Sequence, residues 1–141
     1  MYSTNKTGTI GDLSAMQAFI SAGFSIYIPL SGKEECDFIA CKGLSLLRVQ
    51  VKSTSVKDRN GSYTVQLKRI RNNSSVRKIH KFDALSCDIL AVYIQPIDRL
   101  CFLHSSEIKN TCTMSFRDSY VDLNTKLVSV YSDLNRTLDF Q

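Results

Sequence analysis

The sequence has few of the residues that mark secreted, zinc-binding or membrane proteins. Its 141 residues include no tryptophan, two prolines and two histidines, and no two of its five cysteines are spaced as Cys-x-x-Cys. An odd number of cysteines without that spacing argues against a disulfide framework or a zinc site. No window holds about 20 mostly apolar residues, and the first residues lack the order of a signal peptide. We therefore expect a cytoplasmic protein that does not contact a membrane.

What the sequence does contain is typical of a globular chain. Hydrophobic residues make up 43% and charged residues 22%, values that exclude wholesale disorder. A chain of this length can bury a core without staples, and we expect residues 1–141 to form a single domain.

Positive charge is concentrated in one quarter of the chain. The formal net charge is +5, but residues 48–81 carry ten basic side chains and one acid, while the flanking segments are net acidic. A nearly pure basic run favours a polyanionic partner, above all nucleic-acid phosphate, over an ordinary solvated surface. The candidate DNA-binding residues are Arg48, Lys57, Arg59, Lys68, Arg69, Arg71, Arg77, Lys78, His80 and Lys81.

The periodicity of the apolar residues predicts an α+β protein. Helical spacing over 10–20 predicts a first helix that begins at Gly8 or Thr9 and ends at Gly23. Strands are predicted at 24–29, 36–41, 44–53, 62–67, 89–94, 100–104 and 113–116, with a turn of helix at 82–85 and a last helix near 123–134. Asn60-Gly61 predicts a hairpin over 53–67, which a DNA groove can accept as a two-stranded ribbon, and 68–81 is expected to be a basic loop or arm.

Polar side chains meet at the middle strands of this arrangement. In the strand at 44–53, Gln50 and Lys52 alternate with apolar residues and share one face. A hairpin turning near Lys42-Gly43 brings Asp37 opposite position 49, within one residue of Gln50. A carboxylate and an amide oxygen suit Mg²⁺, Lys52 could offset phosphate charge, and Asp12 on the first helix could add a carboxylate. Alternating polar residues on a strand nevertheless often do no more than face solvent.

The same residues resemble a known family. The sequence is similar to the PD-(D/E)xK nucleases and, more narrowly, to the small cyanobacterial homing endonucleases encoded in group I introns. The similar segments are Gly11-Asp12-Leu13-Ser14-Ala15, Gly23-Phe24, Pro29-Leu30, Cys36-Asp37, Arg48-Val49-Gln50-Val51-Lys52-Ser53, 82–93 and 100–103. The resemblance implies a restriction-endonuclease-like core, in which a helix precedes a mixed or antiparallel central sheet with flanking helices.

The resemblance also implies a site and a reaction. Asp37, Gln50 and Asp12 match the metal-binding positions, and Lys52 matches the catalytic lysine. The implied activity is site-specific cleavage of double-stranded DNA with Mg²⁺, or Mn²⁺ in its place, and no small-molecule cofactor. Cutting both strands with one site per chain requires at least a dimer, so we expect a dimer or tetramer, in a bacterial or phage-infected cell. Cys36 stands where the motif has proline, Gln50 removes a negative charge, and Asp12 is shorter than the usual glutamate.

Two alternatives remain open from the sequence. One is a structure-selective nuclease such as a Holliday-junction resolvase, or a restriction enzyme, on the same core. The other is a DNA-binding relative that has lost its metal and its activity, an interpretation that Gln50 favours.

Overall fold

The computed structural model describes residues 2–32, 35–55, 57, 59, 61–67, 69–73, 76–80, 86–108 and 113–117. Only the backbone is described in 2–5, 69–73, 76–80, 107, 114, 116 and 117. Their elements, in chain order, are α1 (Tyr2–Ser21), β1 (Ser25–Tyr27), β2 (Phe38–Lys42), β3 (Ser45–Thr54), β4 (Ser62–Gln66), β5 (Arg69–Asn73), β6 (Val76–His80), β7 (Ile89–Ile94), β8 (Arg99–His104) and β9 (Thr113–Arg117). Short 3₁₀ turns follow β7 and β8. The α+β prediction is confirmed, whereas the helical segments predicted at 82–85 and 123–134 lie outside the described residues.

A mixed five-stranded sheet forms the centre of the fold, with the strand order β1-β2-β3-β7-β8. Strands β3 and β7 are parallel, and the other neighbouring pairs are antiparallel. Parallel neighbours need a long crossover connection, and residues 55–88 supply it. Most of the basic segment, from Lys57 onwards, therefore lies in the crossover between β3 and β7.

The core lies between α1 and this sheet. Phe19 on α1 meets the rings of Phe24, Phe38 and Phe102 edge to face, at centroid distances of 5.3, 5.7 and 5.4 Å. Ala15, one helical turn before Phe19, is also fully buried. The six residues of β7 are all buried, as expected for an apolar central strand covered on both faces.

Helix α1 begins earlier than its apolar pattern predicts. The expected start at Gly8 or Thr9 is wrong, because the helix already runs from Tyr2. The first turns are mostly polar, so they carry no apolar stripe that periodicity could detect. The predicted end is confirmed: Gly23 has φ 94°, and Lys42 Nζ donates to the Ala22 carbonyl at 3.1 Å.

The hairpin predicted over 53–67 is wrong. β4 pairs with β9 in a separate two-stranded sheet, and between Lys57 and Tyr63 there is only an isolated bridge. The ladder between β2 and β3 ends at Val49, and β7 pairs with β3 as far as Thr54, but β4 takes β9 as its partner and not β3. Instead, Thr54 Oγ1 donates to the Thr64 carbonyl at 2.8 Å. The segment expected to be a basic loop or arm contains an antiparallel hairpin, in which β5 pairs with β6.

Arg48 and Asp88 join the starts of the two central parallel strands. Arg48 donates to Asp88 through its backbone N–H at 2.8 Å and through its guanidinium at 3.3 Å, and the Asp88 N–H donates to the Arg48 carbonyl at 2.8 Å. Burial opposes ionisation of Asp88, but the hydrogen bonds and charge of Arg48 outweigh it and lower the pKa of this carboxyl. The ion pair fixes the register of β7 against β3.

Two further predictions can be compared with the described residues. Among the described residues, Cys36, Cys41, Cys87 and Cys101 are not joined in disulfide bonds. In the described part of the chain, no helix is long and apolar enough to cross a membrane.

Candidate active site

Helix α1, the start of β2 and the second half of β3 enclose a cleft of about 310 Å³. The described residues that line it are Thr7, Gly8, Asp12, Asp37, Val51, Lys52, Ser53 and Ser55. Three of the four predicted catalytic residues, Asp12, Asp37 and Lys52, are therefore at one site. They come from three elements that only the folded sheet brings together.

The carboxylate of Asp37 is held by the backbone of β3. The last pair of the β2–β3 ladder is Phe38 with Val49, and the Asp37 N–H still donates to the Val49 carbonyl at 2.8 Å. One oxygen of the Asp37 side chain then accepts the Val51 N–H at 2.6 Å. The same register, continued by one residue, places Asp37 opposite Gln50. The hydrogen bond fixes the orientation of the carboxylate at the floor of the cleft.

Asp12 on α1 is close enough to Asp37 for the two charges to interact. Partial burial, and secondly the negative charge of Asp37, raise the pKa of Asp12 to about 6. Two carboxylates that repel each other in a half-buried cleft are stabilised by a proton or by a cation. The site is thus prepared for positive charge.

Gln50 is nearly fully buried, with 3% of its surface exposed, and the described lining of the cleft does not include it. Within the described part of the chain, its Oε1 accepts no hydrogen bond. A buried amide oxygen without a partner costs about 1–3 kcal/mol, so such an atom in a folded protein calls for a further partner such as an ion or water. This oxygen is the third predicted metal ligand.

The predicted DNA-binding residues differ in their contacts, and the structure describes the side chains of only some of them. The guanidinium of Arg48 pairs with Asp88, and the Arg48 side chain is 44% exposed. Lys57 and Arg59 are exposed, and the Lys57 ammonium lies 5.6 Å from the centroid of the Tyr63 ring. The backbone of β5 and β6 carries Arg69, Arg71, Arg77, Lys78 and His80, whose side chains lie outside the described residues, as do Lys68 and Lys81.

The donor set fits a hard divalent cation. Asp12 and Asp37 supply carboxylate oxygens, and Gln50 offers an amide oxygen without a partner, the ligand types that Mg²⁺ takes alongside water. Among the described residues, no three His, Cys, Asp or Glu side chains form a metal cluster. A site of two acids and one amide needs no such cluster, because Mg²⁺ keeps several waters and takes others from phosphate.

Sequence reasoning did not identify the hydroxyl groups of the cleft. Thr7, Ser53 and Ser55 line it together with the predicted residues. No spacing signal was available for Thr7, because it precedes Asp12 by five residues, whereas side chains three or four residues apart share one face of a helix. Strand alternation places Ser53 and Ser55 on the face opposite Lys52, so this pattern alone could not assign them to the cleft.

The hydrogen bond from the Val51 N–H to the Asp37 side chain predicts that the charge of Asp37 can be removed with little loss of stability. Asp37→Asn keeps an acceptor for the Val51 N–H but removes the charge, whereas Asp37→Ala leaves that N–H unpaired. We expect Asp37→Ala to lower the free energy of unfolding by about 1–3 kcal/mol and Asp37→Asn by less than about 1 kcal/mol. Urea denaturation of both variants measures this difference. Equal losses of stability in the two variants would contradict the role of this hydrogen bond.

The comparison with known proteins assigns this fold and site to a class. A model of the PD-(D/E)XK endonuclease family matches residues 2–126. The match covers most of the chain, which therefore belongs to the PD-(D/E)XK endonuclease family. Its nucleases act on DNA and generally use divalent metal ions.

A solved structure gives the same fold. The structure of a bacterial homing endonuclease, I-Ssp6803I, is similar to this one with a TM-score of 0.73 at 22% sequence identity, over 81% of this chain and 78% of that chain. The expected restriction-endonuclease-like core is therefore confirmed. No curated protein matches the chain significantly in sequence.

Proposed function

We propose that the protein is a metal-dependent, site-specific endonuclease of the homing type that cuts double-stranded DNA with Mg²⁺, or with Mn²⁺ in its place. The observation that carries the proposal is the meeting of Asp12, Asp37 and Lys52 in one cleft of a PD-(D/E)XK fold. The similar fold of a bacterial homing endonuclease supports the homing type, as does the basic segment of the sequence.

Each of the four predicted catalytic residues has a task in the hydrolysis of a phosphodiester bond. Asp12 and Asp37 would hold the divalent ion, with Gln50 as a third oxygen donor. When bound, that ion would polarise the scissile phosphate and lower the pKa of an attacking water. Lys52 lies two residues after Gln50 on β3, where its ammonium can offset the charge that develops on the phosphate. Water attacks phosphorus, and the bond to the leaving sugar oxygen breaks.

The β5–β6 hairpin and its flanks are the proposed DNA-binding surface. The segment forms part of the crossover from β3, which carries part of the site, to its parallel neighbour β7. An antiparallel pair of strands can enter a DNA groove, and the basic residues assigned from the sequence can neutralise phosphates. This hairpin takes the role that the sequence suggested for residues 53–67.

Cleavage of both DNA strands requires more than one copy of the chain. Each chain supplies one candidate site, and two strands of opposite direction are cut most simply by two sites related by a twofold axis. We therefore propose a dimer or a tetramer that acts on DNA in the cytoplasm of a bacterial or phage-infected cell.

The role of Lys52 predicts a loss of cleavage without a comparable loss of binding. Lys52→Met keeps most of the length of the side chain and removes its charge. We expect the single-turnover cleavage rate to fall by about 10²-fold or more, because the lost stabilisation belongs to the transition state. Gel-shift affinity for the same duplex should fall by no more than the contribution of one phosphate contact.

A matched control for Lys52→Met is Lys42→Met. Lys42 lies on β2, at the end of α1, and its ammonium binds the Ala22 carbonyl, away from the cleft. We expect this variant to cut at close to the normal rate. If Lys52→Met also cuts at close to the normal rate, Lys52 has no part in the chemistry.

The DNA-binding proposal predicts how affinity depends on salt. Each phosphate contact with duplex DNA contributes about −0.9 to the slope of log affinity against log salt. Replacing Lys68, Arg69 and Arg71 together by Ala should make the slope shallower by about 2–3 and leave the thermal midpoint in place. A triple variant with an unchanged slope would place the DNA surface elsewhere on the protein.

A second candidate function is DNA binding without catalysis. The burial of Gln50 favours it, since this residue does not line the cleft that holds the two aspartates. Incubation of the pure protein with Mg²⁺ or Mn²⁺ and a DNA library, followed by sequencing of the cut ends, decides between the two. Salt-sensitive binding with no cut ends would support the inactive relative.

A resolvase is tested by comparing four-way junctions with linear duplex as substrates. Cleavage confined to four-way junctions would support a resolvase.

A further inference from the structure

Gly11 lies where helix α1 packs tightly against the central sheet. Glycine destabilises a helix interior relative to alanine, so a buried glycine at this position needs a reason in the packing. A Cβ placed on Gly11 would overlap Ser53 Oγ and would lie 3.2 Å from Tyr93 Cβ. Ser53 and Tyr93 are paired partners on β3 and β7. The helix therefore rests directly on one residue pair of the two central strands.

The two members of this pair are held in different ways. The Tyr93 hydroxyl donates to Asp98 Oδ1 at 2.7 Å, which anchors the ring at its far end. Ser53 Oγ is buried and, within the described part of the chain, has no hydrogen-bond partner. Tyr93 is therefore held by its place in the sheet and by this hydrogen bond, whereas burial alone confines the Ser53 hydroxyl.

The contact lies one residue from Asp12 on the helix and one residue from Lys52 on β3. A side chain at position 11 would therefore need space at the point where the Asp12 carboxylate meets the residues of β3. A misplacement of about 1 Å of a reacting group can cost about 10²-fold in rate. By contrast, Gly8 lies three residues earlier on the same helix, and a Cβ there would have nothing within 4 Å.

We infer that Gly11 is a positioning residue: its missing side chain sets the distance of α1 from the Ser53–Tyr93 pair and so brings the Asp12 carboxylate to Asp37. The inference rests on the proposed function for its effect on cleavage. Its effect on metal binding is independent of whether the protein cuts DNA.

The test is a double-mutant cycle between Gly11→Ala and Ser53→Ala, read by calorimetric binding of Mn²⁺. We expect Gly11→Ala to weaken Mn²⁺ binding by about tenfold or more, because the helix must move away to make room for the methyl group. Adding Ser53→Ala removes the overlapping oxygen and should restore most of that loss relative to Ser53→Ala alone. Single-turnover cleavage should follow the same order, with a loss of about 10²-fold in Gly11→Ala.

Two controls separate positioning from folding. Gly8→Ala adds the same methyl group to the same helix in open space, and we expect it to hold or raise the thermal midpoint. Affinity for duplex DNA without added metal should be the same in Gly11→Ala as in the wild type. If Gly11→Ala does not fold, Ser53→Val adds bulk to the same contact from the strand side and should weaken Mn²⁺ binding in the same way.

Two results would overturn the inference. One is that folded Gly11→Ala binds Mn²⁺ as tightly as the wild type does. Where Gly11→Ala does not fold, wild-type affinity in Ser53→Val is the corresponding result. The other is a double variant that binds Mn²⁺ no better than Gly11→Ala. A wild-type protein that binds Mn²⁺ but cuts no DNA contradicts the proposed function instead, and the Mn²⁺ affinities still decide the role of Gly11.

Discussion

The candidate site depends on the hydrogen bond from the Val51 N–H to the Asp37 carboxylate, at 2.6 Å. A side-chain oxygen takes the place of a main-chain acceptor where the β2–β3 ladder ends. Hydrogen bonds to a charged group are worth about 1.5–3 kcal/mol, more than an ordinary backbone pair. The bond therefore serves the sheet and the site at once, since it continues the pairing of β3 and aims a carboxylate into the cleft.

The middle of β3 is held from three directions. Asp37 binds it from the β2 side, Asp88 binds Arg48 from the β7 side, and Gly11 lets helix α1 approach it from above. The sheet and helix α1 bring together charged side chains that lie up to 40 residues apart in the sequence. As a consequence, partial burial and secondly the negative charge of Asp37 raise the pKa of Asp12. A stable fold thus carries a local electrostatic cost that a bound cation would relieve.

Local patterns predicted the elements and part of the site. The strand at 89–94 has the predicted bounds, because an unbroken apolar run suits a strand buried on both faces. The meeting of Asp37 with the middle of β3 followed from the turn near Gly43, since a short turn fixes the register of two strands. The resemblance to PD-(D/E)xK nucleases supplied the roles of these residues, which spacing alone did not.

Other features depended on contacts between distant segments. Asn60-Gly61 indicated a hairpin, but β4 pairs with β9, a strand much later in the sequence. The burial of Gln50 could not be inferred from strand alternation, which places it on a face without saying what covers that face. The contact of Gly11 with Ser53 and Tyr93 joins three segments, and no local pattern in the sequence marks it.

The most direct test of the account is the affinity of the metal-free protein for Mn²⁺ as a function of pH, compared with that of Asp12→Asn. Metal ligands must lose their protons to bind, and a pKa of about 6 means that Asp12 is mostly ionised at pH 7 and mostly protonated at pH 5. The wild-type affinity should therefore fall as the pH drops through about 6. Asp12→Asn should bind more weakly at pH 7 and lose this dependence. A wild-type affinity equal at pH 5 and pH 7.5, or an Asp12→Asn variant with the wild-type profile, would contradict the assignment of these two aspartates to a shared metal site.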